Sequence, residues 1–486
     1  MRHVLIGAAL ALAAPALAQP TDITLGMQLE PPNLDPTAGA AAAIDEVVYA
    51  NLFEGLTRFA SDGSIQPALA RSWEVSEDGL AWTFELVEGA TFHDGTAFDA
   101  EDVRFSLDRA RAEDGANAQK PLFEAIERVE VVDPATVRLH LSRPEGNLPW
   151  NLAWGDAVIV APESAETNAT QPVGTGPFRF AEWRKGDSVT LERNPDYWGE
   201  PAALERATFK FISDPTAAFA AMMAEDLDAF PAFPAPELMA QFEADPRFAV
   251  AIGSTEGETI LAMNNARAPL DDSRVREAVA LAVDREEIIE GAMFGYGTPI
   301  GTHFAPHHPA YLDLTGLSPH DPERARALLA EAGAETLTLS LKLPPPAYAR
   351  RGGEIVAAQL REVGIETEIE NLEWAQWLEA VFRNKDFDLT IVSHTEPLDI
   401  GIYAREDYYF GYENAAFDET MAALERTSDP AERTRLLQQA QRLIAEDHVN
   451  GFLFQLARTS VADAALKGLW KDAPTQANDL TAVRWE

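Results

Sequence analysis

The chain has 486 residues, with 38 Lys and Arg against 79 Asp and Glu, and it contains no cysteine. Its formal charge of −41 repels phosphate backbones and anionic lipid faces, which argues against nucleic-acid binding and polybasic membrane docking. Without cysteine there is no disulfide, no thiolate metal site and no cysteine nucleophile, while a 46% apolar share fits a globular chain of about three domains.

At the amino terminus, Met1-Arg2-His3 is positively charged and residues 4–14 form an apolar and small-residue run. Pro15 breaks that run, and Ala16-Leu17-Ala18 supplies an A-x-A site before Gln19. This predicts a secretory signal peptide over residues 1–18, with a core too short to span a bilayer. With no cysteine at the cleavage point, no acyl anchor is expected. The expected product is soluble, free in the periplasm, and one unit more acidic through loss of Arg2.

Residues 60–142 read as short strands with turns at Asp62-Gly63, Asp78-Gly79 and Asp94-Gly95, interrupted by a helix over 100–112. Val137, Leu139 and Leu141 alternate with Arg138 and His140, the period of a half-buried strand. Asp214-Pro215, Asp321-Pro322 and Asp429-Pro430 each place a capping Asp before a Pro in the first turn of a helix. Gly333 is placed to cap the C-terminus of the second of these. Residues 336–371 read strand, helix over 353–363, then strand over 365–369. This βαβ unit implies a helix-covered parallel sheet and a mixed α/β fold.

The motifs that would carry chemistry are mostly missing. The sequence holds no phosphate loop, no G-x-G-x-x-G, no G-x-S-x-G and no H-E-x-x-H. Gly174-Thr175-Gly176-Pro177 has a Pro where a phosphate loop would offer an N–H, so it reads as a tight turn. His93 in Phe92-His93-Asp94-Gly95 reads as incidental to an Asp-Gly turn. His303 and His307 have i,i+4 spacing, with His308 beside them, but Pro306 argues against a helix. A surface loop is expected there, not a metal site. Ser393 and His394 are adjacent on a strand and point to opposite faces, so they make no nucleophile–base pair. No catalytic residue, metal or cofactor is expected. Four of the nine tyrosines, Tyr403, Tyr408, Tyr409 and Tyr412, share one short window with Phe410, and Trp374 and Trp377 precede them. Such aromatics suit either the wall of a small-molecule cleft or a core.

Over essentially the whole expected mature chain, an ordered series of motifs is similar to one family. Leu34-Asp35-Pro36 precedes Val48-Tyr49-Ala50-Asn51-Leu52-Phe53-Glu54-Gly55-Leu56. Pro67-Ala68-Leu69-Ala70, Ser72-Trp73, Trp82-Thr83-Phe84-Glu85-Leu86 and Phe92-His93-Asp94-Gly95-Thr96 come after it. Ala100-Glu101-Asp102-Val103, Phe105-Ser106-Leu107, Gly174-Thr175-Gly176-Pro177-Phe178 and Arg193-Asn194-Pro195-Asp196-Tyr197-Trp198 come next. Val275-Arg276-Glu277-Ala278 and Ala282-Val283-Asp284-Arg285 complete the series. It resembles the family 5 (peptide/nickel-type, cluster C) solute-binding proteins of bacterial ABC importers.

The resemblance implies a two-lobed type II periplasmic binding protein fold with an extra domain. By analogy, domain I is 19–43, 157–258 and 459–486, domain II is 44–156, and domain III is 259–458. A monomer would bind a small molecule or peptide between lobes that close on it, then present it to membrane permease subunits driven by separate ATPases. Peptide-binding members hold the ligand amine with an Asp four residues before the Pro of an acidic-Pro pair. Here that pair is Glu396-Pro397 and the position holds Ser393, so Glu396 or Asp399 would have to substitute. Peptides, opine-like or sugar-like compounds and metal chelates all stay open as ligands. The expected ligand wall is Trp374, Ser393, His394, Tyr408, Tyr409 and Tyr412, faced by Glu30, Asn33 and Trp154. An exported hydrolase or a chaperone-like envelope protein is the alternative.

Overall fold

Two long antiparallel strands, Phe248–Met263 and Asn450–Asp463, organise the molecule, because they run through both of its lobes. The structure is a computed structural model and describes residues 20–39, 41–395 and 398–486. The expected signal peptide and Glu396 therefore lie outside the described residues. Among these, the largest sheet has eleven strands, and the crossing pair sits in its middle. On one side the sheet continues through Ala229–Phe230, Asp22–Met27, Arg206–Phe211, Ser188–Arg193 and Phe178–Arg184. On the other it continues through Leu389–His394, Leu337–Leu343 and Ile365–Asn371. The crossing pair is not continuous: Ser254 opposes Ala457, but Glu258 opposes Gln455. Thr255, Glu256 and Gly257 thus face a single residue, Leu456, in a bulge of the crossing pair.

The local signals in the sequence become the expected elements. Leu337–Leu343 and Ile365–Asn371 pair in parallel, joined by a helix. That helix starts at Ala347, six residues before the expected start, because the residues just after Pro344-Pro345-Pro346 already take helical turns that bury Ala349. Asp214, Asp321 and Asp429 each accept a backbone N–H at the start of a helix, and Gly333 takes the left-handed cap at φ 68°. Residues 70–141 form a four-stranded antiparallel sheet, covered by the helix Ala100–Ala110 over a core of Phe84, Leu86, Val103, Leu107, Val137 and Leu139. That helix ends two residues earlier than expected. Asp99 caps it, with Asp102 bonding back to the Asp99 backbone. Replacing Asp99 with Ala should cost about 1 kcal/mol, read as a lower urea midpoint with an unchanged slope.

Motifs far apart in the chain meet in one buried knot. The Glu54 carboxylate accepts from Thr175 Oγ1 at 2.8 Å, Tyr197 O–H at 2.7 Å and Trp198 Nε1 at 2.9 Å. Burial pushes its pKa up, and these three bonds pull it back. His93 docks on the Gly174–Pro177 turn: its backbone N–H donates to Gly174 O at 2.8 Å, and Nε2 lies 3.0 Å from Gly176 O. Burial lowers the His93 pKa to about 4, so it is neutral at physiological pH. Phe92-His93-Asp94-Gly95 and Gly174-Thr175-Gly176-Pro177 are therefore two halves of one structural contact.

Candidate functional site

Between the lobes lies a cleft of about 860 Å³. One wall carries Gln119, Asn147, Trp150, Asn151 and Trp154. Trp150 and Trp154 are four residues apart and meet edge to face at 5.3 Å. The opposite wall is built after the βαβ unit. Residues Trp374–Trp377 form a helical turn that continues as a wider π-type turn over Leu378–Arg383. It leaves Trp374, Leu378 and Phe382 on the cleft side, each about two-fifths exposed. Phe382 packs edge to face on Tyr408 at 5.6 Å, and Trp377 does the same on Tyr409 at 6.0 Å. Tyr348, Ser393, His394, Thr395, Asp399, Arg405, Tyr408 and Tyr409 complete this wall.

Ser393 and His394 end the strand Leu389–His394, and both border the cleft. They do not bond each other. The Ser393 Oγ is buried without a hydrogen-bond partner, as is Trp154 Nε1 on the facing wall. His394 is engaged on both sides: Nδ1 lies 3.1 Å from Asp399 Oδ2 and Nε2 lies 3.2 Å from the Tyr409 hydroxyl. His303 approaches the other carboxylate oxygen, with Nε2 at 2.5 Å from Asp399 Oδ1, and its Nδ1 lies 3.2 Å from the Tyr403 hydroxyl. Asn450 in turn donates to that hydroxyl at 3.0 Å. Burial works against the Asp399 anion, but His303 and then His394 outweigh it and hold its pKa well below the usual carboxylate range.

This corrects the reading of 303–308 as a surface loop. His303 is 1% exposed and bonded to Asp399, while His307 Nε2 lies 2.5 Å from Glu256 Oε1 in the bulge of the crossing strand. Most of His308 is buried as well, and burial lowers its pKa to about 4. The prolines do prevent a helix, but the segment is tucked inward, and its imidazoles serve two separate carboxylates.

Of the residues expected to form the ligand wall, the structure brings together Trp154, Trp374, Ser393, His394, Asp399, Tyr408 and Tyr409. It does not bring Glu30, Asn33 or Tyr412 to the cleft. The Glu30 carboxylate accepts from Trp183 Nε1 and the Gly186 N–H, both at 3.0 Å, which ties it to the hairpin of Phe178–Arg184 and Ser188–Arg193. The Asn33 side chain caps the Asp35 N–H, and Tyr412 donates to Asp447 at 2.6 Å behind the aromatic layer. Both readings of the aromatic window apply: Tyr408 and Tyr409 border the cleft, while Tyr403 and Tyr412 are core. Sequence reasoning missed Trp150, although its four-residue spacing from Trp154 was available as a signal. It also missed a second chamber of about 160 Å³, which shares Gln119, Trp154 and Thr395 with the cleft and is lined by Asp45, Asp156 and Glu256.

The family profile described as bacterial extracellular solute-binding proteins, family 5, matches residues 64–400. The chain belongs to this family. As a family 5 protein it is the solute-binding component of a bacterial ABC importer, which is what its motifs implied. A di/tripeptide-binding protein of Pseudomonas aeruginosa is 28% identical to it over 537 aligned positions, covering 100% of this chain and 98% of that protein. A glutathione-binding protein of Salmonella paratyphi A is 30% identical over 468 positions, 90% of each chain. The structure of HbpA2 from Haemophilus parasuis superposes with a TM-score of 0.88 at 23% identity, over 96% of this chain and 100% of that one. That superposition gives the same two-lobed fold. Among the described residues no helix is long and apolar enough to cross a membrane.

Proposed function

We propose that this family 5 protein captures a short peptide or peptide-like solute between its lobes and delivers it to the permease subunits of its importer. It acts as an exported periplasmic monomer, after loss of residues 1–18, and makes or breaks no bond in the solute. The observation that carries this reading is the cleft itself. Flat aromatic walls from opposite lobes, Trp150 and Trp154 against Trp374, Tyr408 and Tyr409, enclose a volume suited to a small ligand. The buried Ser393 Oγ and Trp154 Nε1 have no partner in the protein and are available to a ligand's amide groups. His394 and Asp399 border the same space. The names of the relatives, one for di- and tripeptides and one for glutathione, support a ligand with amide bonds.

In the same reading, the first lobe comprises 19–43, 157–258 and 459–486 with 44–156 attached, and the second comprises 259–458. The bulge at Thr255–Gly257 is where two crossing strands would bend as the lobes close. A tripeptide present at 100 times its dissociation constant should add about 2.7 kcal/mol to the stability. Differential scanning fluorimetry over di- and tripeptides reads this directly. Replacing Trp374 with Ala should weaken the best peptide by about tenfold, through loss of one large aromatic contact. If no peptide raises the melting temperature, or if Trp374→Ala leaves affinity unchanged, the peptide assignment fails.

A further inference from the structure

The charge inside the cleft carries information that the overall charge does not. Among the described residues most acids are solvated or paired, but Asp45 and Asp156 stand apart. Asp45 sits on the helix Ala42–Val48 and Asp156 on the short turn Gly155–Ala157, and their carboxylates repel each other. Asp156 is 7% exposed and Asp45 is half-buried. Each has an Oδ1 that is buried without a hydrogen-bond partner, and among the described residues neither forms an ion pair. The other buried acids of the cleft are matched. Asp399 is held by His303 and His394, and Glu256 by His307.

The backbone passes so close to Asp45 that a Cβ at Gly155 would collide with its carboxylate. Both acids line the second chamber, which adjoins the main cleft at Gln119 and Trp154 and meets the other lobe at Thr395. A buried carboxylate without a partner is costly, and two that repel each other cost more. Burial pushes the Asp156 pKa up to about 7 and that of Asp45 well above the carboxylate range, which is the response of acids that lack a cation.

We propose that this chamber is the site for a primary ammonium group of the solute, which Asp45 and Asp156 neutralise together when the lobes close. The inference rests on capture in the interlobe cleft and adds to it which end of the solute goes where. It also accounts for Ser393, a neutral residue where peptide-binding members were expected to carry an Asp. The ammonium is met by the first lobe, and the second lobe supplies Thr395 and the aromatic wall. Asp45 and Asp156 come from segments more than a hundred residues apart, so the pair exists only in the folded chain.

The test compares free tripeptides having apolar side chains with their N-acetylated twins, by isothermal titration against wild type, Asp156→Asn and Asp45→Asn/Asp156→Asn. Wild type should bind the free peptides at least about tenfold more tightly than the twins. The double variant should lose that preference while binding the twins as wild type does. Empty, it should melt at or above the wild-type temperature, since two unpaired acids are gone. Asp156→Asn alone should show part of the same loss, which keeps the test open if the double variant folds poorly. Equal binding of free and acetylated peptides by wild type overturns the ammonium site and leaves cleft capture standing. So does a preference that survives both substitutions. If neither series binds, both readings fall. Calcium chloride serves as the competing probe: heat of binding from calcium with no free-amine preference would make the chamber a metal site and overturn the proposal.

Discussion

Replacing Asp399 with Leu should destabilise the protein by about 3 kcal/mol, a fall in melting temperature of roughly 5 °C or more. The carboxylate is the common partner of His303 and His394, and each imidazole is oriented on its far side by a tyrosine hydroxyl. Leu would fill much of the space but leave both inward ring nitrogens facing an apolar group. The pH dependence gives a second readout. The folded-state pKa of Asp399 lies below its unfolded value, because the two imidazoles overcome the effect of burial. Its contribution is therefore complete above the unfolded carboxylate range, near pH 4, and disappears as pH falls through the folded value. The carboxylate's share of the gap between wild type and Asp399→Leu should narrow as pH falls below about 4. Urea melts across that range measure it. A gap that widens as pH falls from about 4 would mean that another group dominates the cluster.

The second large effect concerns the contact between lobes at the rim of the cleft. The Gly146 N–H donates to the Glu425 carbonyl at 3.0 Å, and Arg433 donates to the Asn147 side-chain oxygen. A Cβ at position 146 would collide with the Thr427 carbonyl. Gly146→Val should therefore hold the lobes apart at this edge without touching the core of either. Solute affinity should fall by at least about tenfold, because less of the population is competent to close. The melting temperature of the empty protein should stay within about a degree or two. Titration calorimetry and small-angle scattering read the two effects separately. Unchanged affinity would show that this edge is no part of closure.

The sequence by itself determined the local elements and the family. Asp caps, Gly333 and the alternating leucines of Leu337–Leu343 are encoded within a few residues, so they could be read before the chain was folded. The family motifs were also legible, but not their reason. Glu54, Thr175, Tyr197 and Trp198 belong together because burying one carboxylate requires three donors, and only folding brings those donors to it. The cleft was half legible. Tyr408 and Tyr409 are adjacent in sequence and stay together at the cleft, whereas Glu30 was drawn away by Trp183 and Gly186, partners more than 150 residues distant. The histidines of 303–308 show the same limit, since nothing local reveals that one faces Asp399 and another Glu256. A net charge of −41 argued against a nucleic-acid partner and said nothing about the solute. What decides that is which few carboxylates lose water, and whether the chain supplies a cation for them. Desolvation is a property of the packed lobes, so Asp45 and Asp156 became distinguishable from the other acids only in the tertiary structure.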